Sequence, residues 1–197
     1  MAKLPKRTLP LFTDKLGTQA AQPTSGSVEL RTDFDPKTGF FRLKFTLNAA
    51  RIPVTDAAAS GSSGSLKLFS FIKSAIAVGP SRQNYTAFAE GSALTTAAGD
   101  AAFLLACGSV AADAGDGALT GTEVDFAAAT STLTNSGGTT TGSKLSNIGT
   151  TAPLDGTGTA KDIYLNWSGS AATIDANSTI DVTGTITICG QLLDPAA

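Results

Sequence analysis

Two segments of this chain alternate strictly between apolar and polar residues, and that period of two constrains the fold more than any other feature. The apolar positions in residues 41–47 are Phe41, Leu43, Phe45 and Leu47. Residues 180–188 repeat the pattern with isoleucine and valine, with Gly184 at one apolar place. Because successive side chains of a β-strand point to opposite faces, both segments are predicted to be half-buried strands. The outer face of the first segment is basic, and Gly184 indicates a bend or a close backbone approach in the second.

Turn chemistry between such segments predicts how the strands connect. Residues 35–39 read Asp-Pro-Lys-Thr-Gly and separate residues 27–33, which also alternate, from residues 41–47. This arrangement predicts a β-hairpin. Residues 163–167 alternate as well, and a turn-rich link joins them to residues 180–188. We expect these last two segments to pair with each other and to end the domain.

The middle of the chain is less regular. Residues 66–78 fit one long strand or two strands joined by a bend, and Gly79-Pro80 is expected to end it. Phe69 and Phe71 fall on the face opposite the neighbouring leucines. This placement indicates a β-bulge, burial on both faces, or an apolar face that a second subunit covers.

Three further stretches complete the fold prediction. Residues 97–112 are rich in Ala and fit either a short helix or a buried strand, and residues 122–126 are predicted to be a strand. Residues 131–159 are rich in Gly, Ser and Thr, which is typical of long surface loops with at most one short strand. We predict an all-β fold, a β-sandwich or jelly roll of about eight strands, as a single domain over residues 27–197.

Residues 1–26 are predicted to form an extended N-terminal arm. Three prolines interrupt any regular helix there, and basic residues mix with apolar ones. A sticky basic segment of this kind is typical of a chain end that docks on a neighbour, while a disordered terminus is the alternative. The candidate partner-binding residues are Lys3, Leu4, Lys6, Arg7, Leu9, Leu11, Phe12 and Lys15.

The residue content argues against most catalytic chemistry. The chain has no histidine, and therefore lacks the commonest general base near neutral pH and the commonest metal ligand. Cys107 and Cys189 are not in a CxxC pair, and we expect two free thiols. Asp33 and Asp35 fit a solvated turn, and residues 113–117 lack the ligand spacing of a calcium loop. We predict no enzyme activity and no catalytic, metal or cofactor site.

Charge is distributed unevenly along the chain. Residues 1–82 hold twelve of the fourteen Lys and Arg residues and have a net charge of +7, whereas residues 83–197 have a net charge of −9. Either the two ends form separate basic and acidic surfaces, or they mix in the folded protein. The basic footprint is too weak to indicate nucleic-acid binding. No apolar run reaches the roughly 18 residues that a membrane span needs, and we expect no membrane partner.

Three segments of the sequence resemble a known group of proteins. Residues 162–167 read Asp-Ile-Tyr-Leu-Asn-Trp, and residues 180–188 read Ile-Asp-Val-Thr-Gly-Thr-Ile-Thr-Ile. Together with residues 28–33, Val-Glu-Leu-Arg-Thr-Asp, they resemble small jelly-roll decoration or cement proteins of tailed bacteriophages. The resemblance implies a jelly roll that attaches to capsids, often as a trimer, and it brings no catalytic residues.

These features together predict a structural protein of a virus particle. We expect a capsid decoration protein on the outer surface of the virion, made in the host cytoplasm, that bridges and stabilises subunits of the major capsid protein. We also expect a homo-oligomer, with a trimer first. The alternative is a phage tail or fibre protein that binds a host surface or carbohydrate, and a two-carboxylate carbohydrate-active enzyme is the hypothesis from another class.

Overall fold

A computed structural model of the chain describes residues 13–56, 61–90, 102–113, 118–134, 142–147, 153–169 and 176–193. These residues form one antiparallel sheet of 11 strands. In chain order the strands are β1 (Gly17–Gln19), β2 (Ser27–Phe34), β3 (Phe40–Asp56), β4 (Ser62–Phe71), β5 (Ala75–Glu90), β6 (Ala102–Gly108), β7 (Ala127–Thr134), β8 (Gly142–Asn147), β9 (Leu154–Asp155), β10 (Asp162–Gly169) and β11 (Ser178–Leu192). Helical structure in the described residues is limited to two single turns, α1 (Thr13–Leu16) and a 3₁₀ turn (Gly121–Glu123). The all-β prediction is confirmed.

The long strands β3 and β11 form the centre of the sheet. They pair along nearly their whole length, from Phe40 opposite Gln191 to Val54 opposite Ser178. On the other edge of β3, β2 pairs with the first half and β4 with the last three residues. Beyond β4, the order of paired strands continues through β10, β6 and β7. Beyond β11, it continues through β5 and β8.

The sheet is curled around one hydrophobic core. β7 and β8 lie at opposite ends of the strand order, yet they contact each other. The rings of Phe41 on β3 and Phe71 on β4 lie 5.3 Å apart, and Phe71 stacks on Phe126 at 5.8 Å. Trp167 on β10 and Phe45 on β3 are fully buried in the same cluster. Burial of these large rings stabilises the curled arrangement, since the hydrophobic gain scales with the apolar area removed from water.

The alternating segments fold as predicted. On β3 the four apolar residues of segment 41–47 are buried, whereas Arg42 and Lys44 are exposed. On β11 the isoleucines and Val182 face the core. A Cβ at Gly184 would collide with the carbonyl oxygen of Asn84 on β5, and the pairing register shifts at this point, so the predicted close approach is confirmed.

The predicted hairpin between β2 and β3 is also confirmed. Its turn is held by Asp35, whose carboxylate accepts hydrogen bonds from the Lys37 N–H at 2.9 Å and from the Thr38 hydroxyl at 2.7 Å. Gly39 adopts a φ of +73°, in the left-handed region that favours glycine. The hydrogen bond from Thr38, followed by that from Lys37, lowers the pKa of Asp35.

The expected pairing of the last two long strands with each other is wrong. β10 pairs with β4 and β6, whereas β11 pairs with β3 and β5. Both edges of each strand are therefore occupied by strands from earlier in the chain. Alternation within a segment predicts which of its faces is buried, but the partner of a strand depends on contacts that are distant in sequence.

The expected end of a strand at Gly79-Pro80 is also wrong, because β5 continues through these residues to Glu90. The register between β5 and β11 shifts there, so that two residues of β5 oppose Cys189 alone. Such a bulge tolerates proline, since it requires no regular ladder donor at that position. The bend that the sequence allowed within residues 66–78 does occur, at Lys73 and Ser74 between β4 and β5.

One further stretch is settled between its alternatives, and two depart from their predictions. Residues 131–159, predicted to be long loops with at most one short strand, contain β8, β9 and the end of β7. Residues 97–112 contain the strand β6, which settles the alternatives for this stretch in favour of a buried strand. Residues 122–126 were predicted to be a strand, but they belong to the 3₁₀ turn and the bend that follows it. The Glu123 carboxylate accepts hydrogen bonds from two backbone N–H groups and holds this turn closed.

Phe69 and Phe71 need no second subunit to cover them. They are 0% and 3% exposed within the single chain, so this interpretation of their apolar face is wrong. The pairing of β4 with β10 shifts register between Ile163 and Tyr164, opposite Leu68. The predicted β-bulge therefore accounts for the burial of consecutive side chains on β4.

Part of the predicted N-terminal arm packs on the sheet. Leu16 is fully buried, and β1 pairs with β4 at Gly17 opposite Phe71. Of the candidate arm residues, Lys15 is exposed on α1, and the others, from Lys3 to Phe12, lie outside the described residues. The partner-binding role of the arm stays a prediction.

Candidate functional site

One outer face of the sheet carries a groove lined mainly by basic and hydroxyl side chains, which we name the basic groove. Its volume is about 450 Å³. Four strands contribute to it, namely β2, β3, β11 and β5. The lining residues are Arg31, Asp33, Arg42, Lys44, Arg82, Asn84, Thr185 and Thr187.

Strand register places these side chains together. Arg31 lies opposite Lys44, Lys44 opposite Thr187, and Thr187 opposite Arg82. The four residues form one row across four strands. Because residues two apart on a strand share a face, Asp33 and Arg42 extend the groove toward the hairpin turn. The alternate residues of the same strands point into the core, which fixes the groove on a rigid support.

Positive charge dominates the basic groove. Asp33 is its one carboxylate, and it accepts hydrogen bonds from Nε of Arg42 at 2.9 Å and from Nη2 of Arg42 at 2.5 Å. Arg31 approaches Asp33 at 3.9 Å, at the limit of an ion pair. Among the described side chains, neither Lys44 nor Arg82 forms an ion pair. Four cations therefore face one carboxylate that is already engaged.

An apolar ledge adjoins the basic groove at the hairpin end of the sheet. It includes Phe40, whose side chain is 58% accessible to solvent. Val78 and Pro80 of β5 line the adjacent hollow with Cys189 of β11. Asp33 and Arg42 also line a second hollow beside Phe40, so the ledge and the groove form one continuous surface.

A second polar region is buried around Asn166 of β10, which lies between the core residues Leu165 and Trp167 in the strand. The Asn166 amide donates to the carbonyl oxygens of Val110 and Glu123, both at 2.9 Å. Its Oδ1 accepts from the Ser65 hydroxyl at 2.8 Å and from the Ala112 N–H at 3.1 Å. These contacts attach the connection between β6 and β7 to the sheet.

The same connection contains two buried or half-buried carboxylates. Glu123 is 7% exposed and accepts from the N–H groups of Asp113 and Thr120, both at 2.9 Å. Asp125 accepts from the N–H and the hydroxyl of Ser109, at 2.7 and 2.6 Å. Burial raises the pKa of Asp125 despite these two hydrogen bonds. We name these residues, with Asn166 and Ser65, the Asn166 cluster. Its polar groups are hydrogen-bonded within the protein, and these bonds hold the connection between β6 and β7 on the sheet.

The residues weighed as candidate ligands on the sequence are dispersed. Asp33 belongs to the basic groove, and Asp35 holds the hairpin turn. Cys107 is buried, and burial raises the pKa of its thiol, while Cys189 is half-buried, and both are free. Residues 114–117 of the weighed calcium segment lie outside the described residues. In the described part of the chain, no three His, Cys, Asp or Glu residues are grouped as metal ligands.

The sequence predicts only part of the basic groove. Alternation on β3 predicts that Arg42 and Lys44 lie on its outer face. No motif within that strand connects them to Arg31 or Arg82. Arg31 could have been added from the predicted hairpin, because the hairpin register sets it opposite Lys44. Arg82 could not, since its strand was expected to end at Gly79-Pro80.

The two charge-rich halves of the chain interleave in the sheet. Strands from the basic first half pair with strands from the acidic second half, and two ion pairs join them. Arg51 binds Asp181 at 2.7 Å, and Lys67 binds Asp162 at 2.7 Å. Of the two alternatives drawn from the charge pattern, mixing therefore holds for these strands, and the basic groove is where an excess of positive charge remains.

Searches among protein-family models, characterised proteins and solved structures gave no match to this chain. Within the described residues, no helix has the length and apolar character needed to cross a membrane.

Proposed function

We propose that this chain is a non-enzymatic structural protein of a virus particle. In this proposal it is a decoration or cement protein on the outer capsid surface, where it binds and stabilises the major capsid protein. The proposal includes a jelly-roll fold for this chain. The curl of the sheet and the contact between its end strands β7 and β8 support that fold.

The segments that carry the resemblance occupy structurally central positions. Residues 162–167 begin β10, residues 180–188 are the body of β11, and residues 28–33 lie within β2. β10 and β11 each pair with two other long or core strands. The resemblance therefore concerns strands that define the fold rather than peripheral loops, and this supports its use as a guide to the class of protein.

The observation that carries the proposal is the continuous surface formed by the basic groove and the apolar ledge. A rigid sheet presents unneutralised cations next to an exposed phenylalanine, a combination suited to a protein interface with a charged rim and an apolar contact. The buried carboxylates and Asn166 are fully engaged in holding the fold. Repeated docking of such a surface on capsid subunits would stabilise a particle through added interface area.

Purified particles from the source virus test the proposal. We expect mass spectrometry to find the protein in stoichiometric amounts, and cryo-electron microscopy to show it as density on the outside of the capsid. Its selective removal should lower the temperature at which particles rupture. Absence from the particle, or a position only inside it, would overturn the proposal, and density on the tail alone would favour the fibre alternative.

A further inference from the structure

We infer that the basic groove binds an acidic segment of a partner protein, with carboxylates of that segment paired to Lys44 and Arg82. The inference deepens the proposed function, on which it rests, because it assigns the contact surface and the chemistry of the partner. It is independent of the N-terminal arm, since the groove is formed entirely by strands of the sheet.

The spacing of the cations suits an extended peptide. Neighbouring strands lie about 4.8 Å apart, so the row from Arg31 through Lys44 and Thr187 to Arg82 spans about 14 Å. Side chains on one face of an extended peptide recur about every 6.8 Å. Two or three carboxylates of one segment can therefore reach successive cations of the row.

The groove also offers neutral hydrogen-bond donors between its cations. Thr185 and Thr187 contribute hydroxyl groups, and Asn84 contributes an amide. Arginine and lysine form short, charge-assisted hydrogen bonds to carboxylates, and these are stronger than neutral ones. Arg42 is already oriented by Asp33, which leaves Lys44 and Arg82 as the cations with the most to gain from an incoming carboxylate.

The lining of the groove favours an acidic protein segment over nucleic acid. None of its eight lining residues is aromatic, so bases have no ring to stack on. The chain as a whole carries a net charge of −2, which opposes the approach of a long polyanion. A short acidic peptide meets only the local positive field of the groove.

A fluorescein-labelled hexaglutamate peptide tests the inference through fluorescence anisotropy with the full chain. We expect binding that weakens steeply between about 50 mM and about 500 mM salt. The double variant Lys44→Gln/Arg82→Gln should lose about tenfold or more in affinity. The matched control Lys37→Gln/Lys73→Gln removes the same charge from exposed positions outside the groove and should change the affinity less than about twofold.

Several outcomes would overturn the inference. One is the absence of hexaglutamate binding to the full chain, and another is an equal loss of hexaglutamate affinity in the groove and control variants. The third is that a single-stranded oligothymidine of equal charge binds more tightly than hexaglutamate. Sedimentation of the same proteins supplies another test. If the groove variant alone dissociates an oligomer, the occupant is a second copy of this chain.

Particle occupancy separates this inference from the proposed function. A groove variant that folds, fails to bind hexaglutamate and yet decorates particles normally would overturn the inference and leave the proposed function standing. If the groove binds hexaglutamate specifically but the protein is absent from particles, the proposed function is overturned and the binding chemistry of the groove stands.

Discussion

Two asparagines on strands of the same sheet show how differently the molecule uses polar groups. Asn166 is fully buried, and its amide forms four hydrogen bonds that attach the connection between β6 and β7 to the sheet. Asn84 is half-buried in the lining of the basic groove, among cations that face solvent. The two regions contain similar residue types but differ in burial, and the hydrogen bonds given above engage the Asn166 cluster more fully than the groove.

This difference separates groups that hold the fold from groups that are available to a partner. A buried polar group without a hydrogen bond costs much free energy, so the Asn166 cluster must keep its partners. A solvated cation loses little when it stands alone, so the basic groove can remain unneutralised until a ligand arrives. Substitutions in the first region should therefore change stability, and those in the second should change binding.

The largest effect is expected from Asn166→Ala. The substitution leaves the Val110 carbonyl and the Ala112 N–H with one partner fewer in a buried setting and opens a small cavity. We expect a loss of about 3–5 kcal/mol in the free energy of unfolding. Urea denaturation followed by circular dichroism and tryptophan fluorescence measures it, and Trp167 lies next in the chain as the reporter.

The matched control for this prediction is Asn84→Ala. It removes an amide from the groove, where solvent replaces the lost contacts, and should cost less than about 0.5 kcal/mol. Equal destabilisation by the two substitutions would show that the Asn166 cluster is no more structural than the groove, and the comparison between the two regions would fail.

A smaller effect is expected from Glu123→Gln. The carboxylate accepts one backbone N–H on each oxygen, whereas glutamine offers a single acceptor oxygen and turns its NH₂ toward the second donor. We expect destabilisation of about 1–2 kcal/mol. Glu29→Gln, at an exposed position on β2, is the control and should leave the denaturation midpoint unchanged. A neutral result for Glu123→Gln would mean that the 3₁₀ turn is held by its backbone alone.

The sequence allowed the local part of this architecture to be predicted. Alternation identified the buried faces of β3, β10 and β11, because the period of a strand is a property of consecutive residues. The turn at Asp35 was found for the same reason, since its hydrogen bonds reach only two and three residues ahead. The all-β class followed from these segments together.

The non-local part could not be read in this way. The strand partners of β10 and β11 depend on register with strands more than fifty residues earlier, as in Leu165 opposite Cys107 and Ile186 opposite Phe45. The bulge that lets β5 pass through Pro80 lies opposite Cys189, more than a hundred residues later in the chain. The basic groove and the Asn166 cluster are both assembled from such pairings, so neither site was visible in the sequence as a motif.

The pH dependence of stability offers a test inside the Asn166 cluster. Burial raises the pKa of Asp125 in the folded protein above its unfolded value, so the native state binds this proton more tightly. The contribution of Asp125 to stability is therefore greatest below the unfolded pKa and falls as pH rises through the folded pKa. Asp125→Asn does not titrate at this position.

We therefore expect the free energy of unfolding of the unmodified chain, relative to Asp125→Asn, to fall as pH rises from below about 3.9, the ordinary pKa of an aspartate, toward neutrality. Denaturant titrations of both proteins across this range measure the difference. Ser109→Ala, which removes the hydroxyl donor to Asp125, should steepen the fall, because a hydrogen bond to the carboxylate lowers its pKa. A difference that grows with pH would contradict the assignment of Asp125 as a carboxylate destabilised by burial.

The smallest change in stability is expected in the basic groove itself. Lys44→Gln/Arg82→Gln removes two cations that form no ion pair among the described side chains and reduces repulsion within the row that also holds Arg31. The free energy of unfolding should change by less than about 0.5 kcal/mol, with a slight gain at low salt where repulsion is least screened. Denaturation of this variant and of Lys37→Gln/Lys73→Gln, at low and high salt, measures both effects. If the groove variant is strongly destabilised, its cations are part of the structural framework, and any loss of ligand binding in it would reflect misfolding instead of a missing contact.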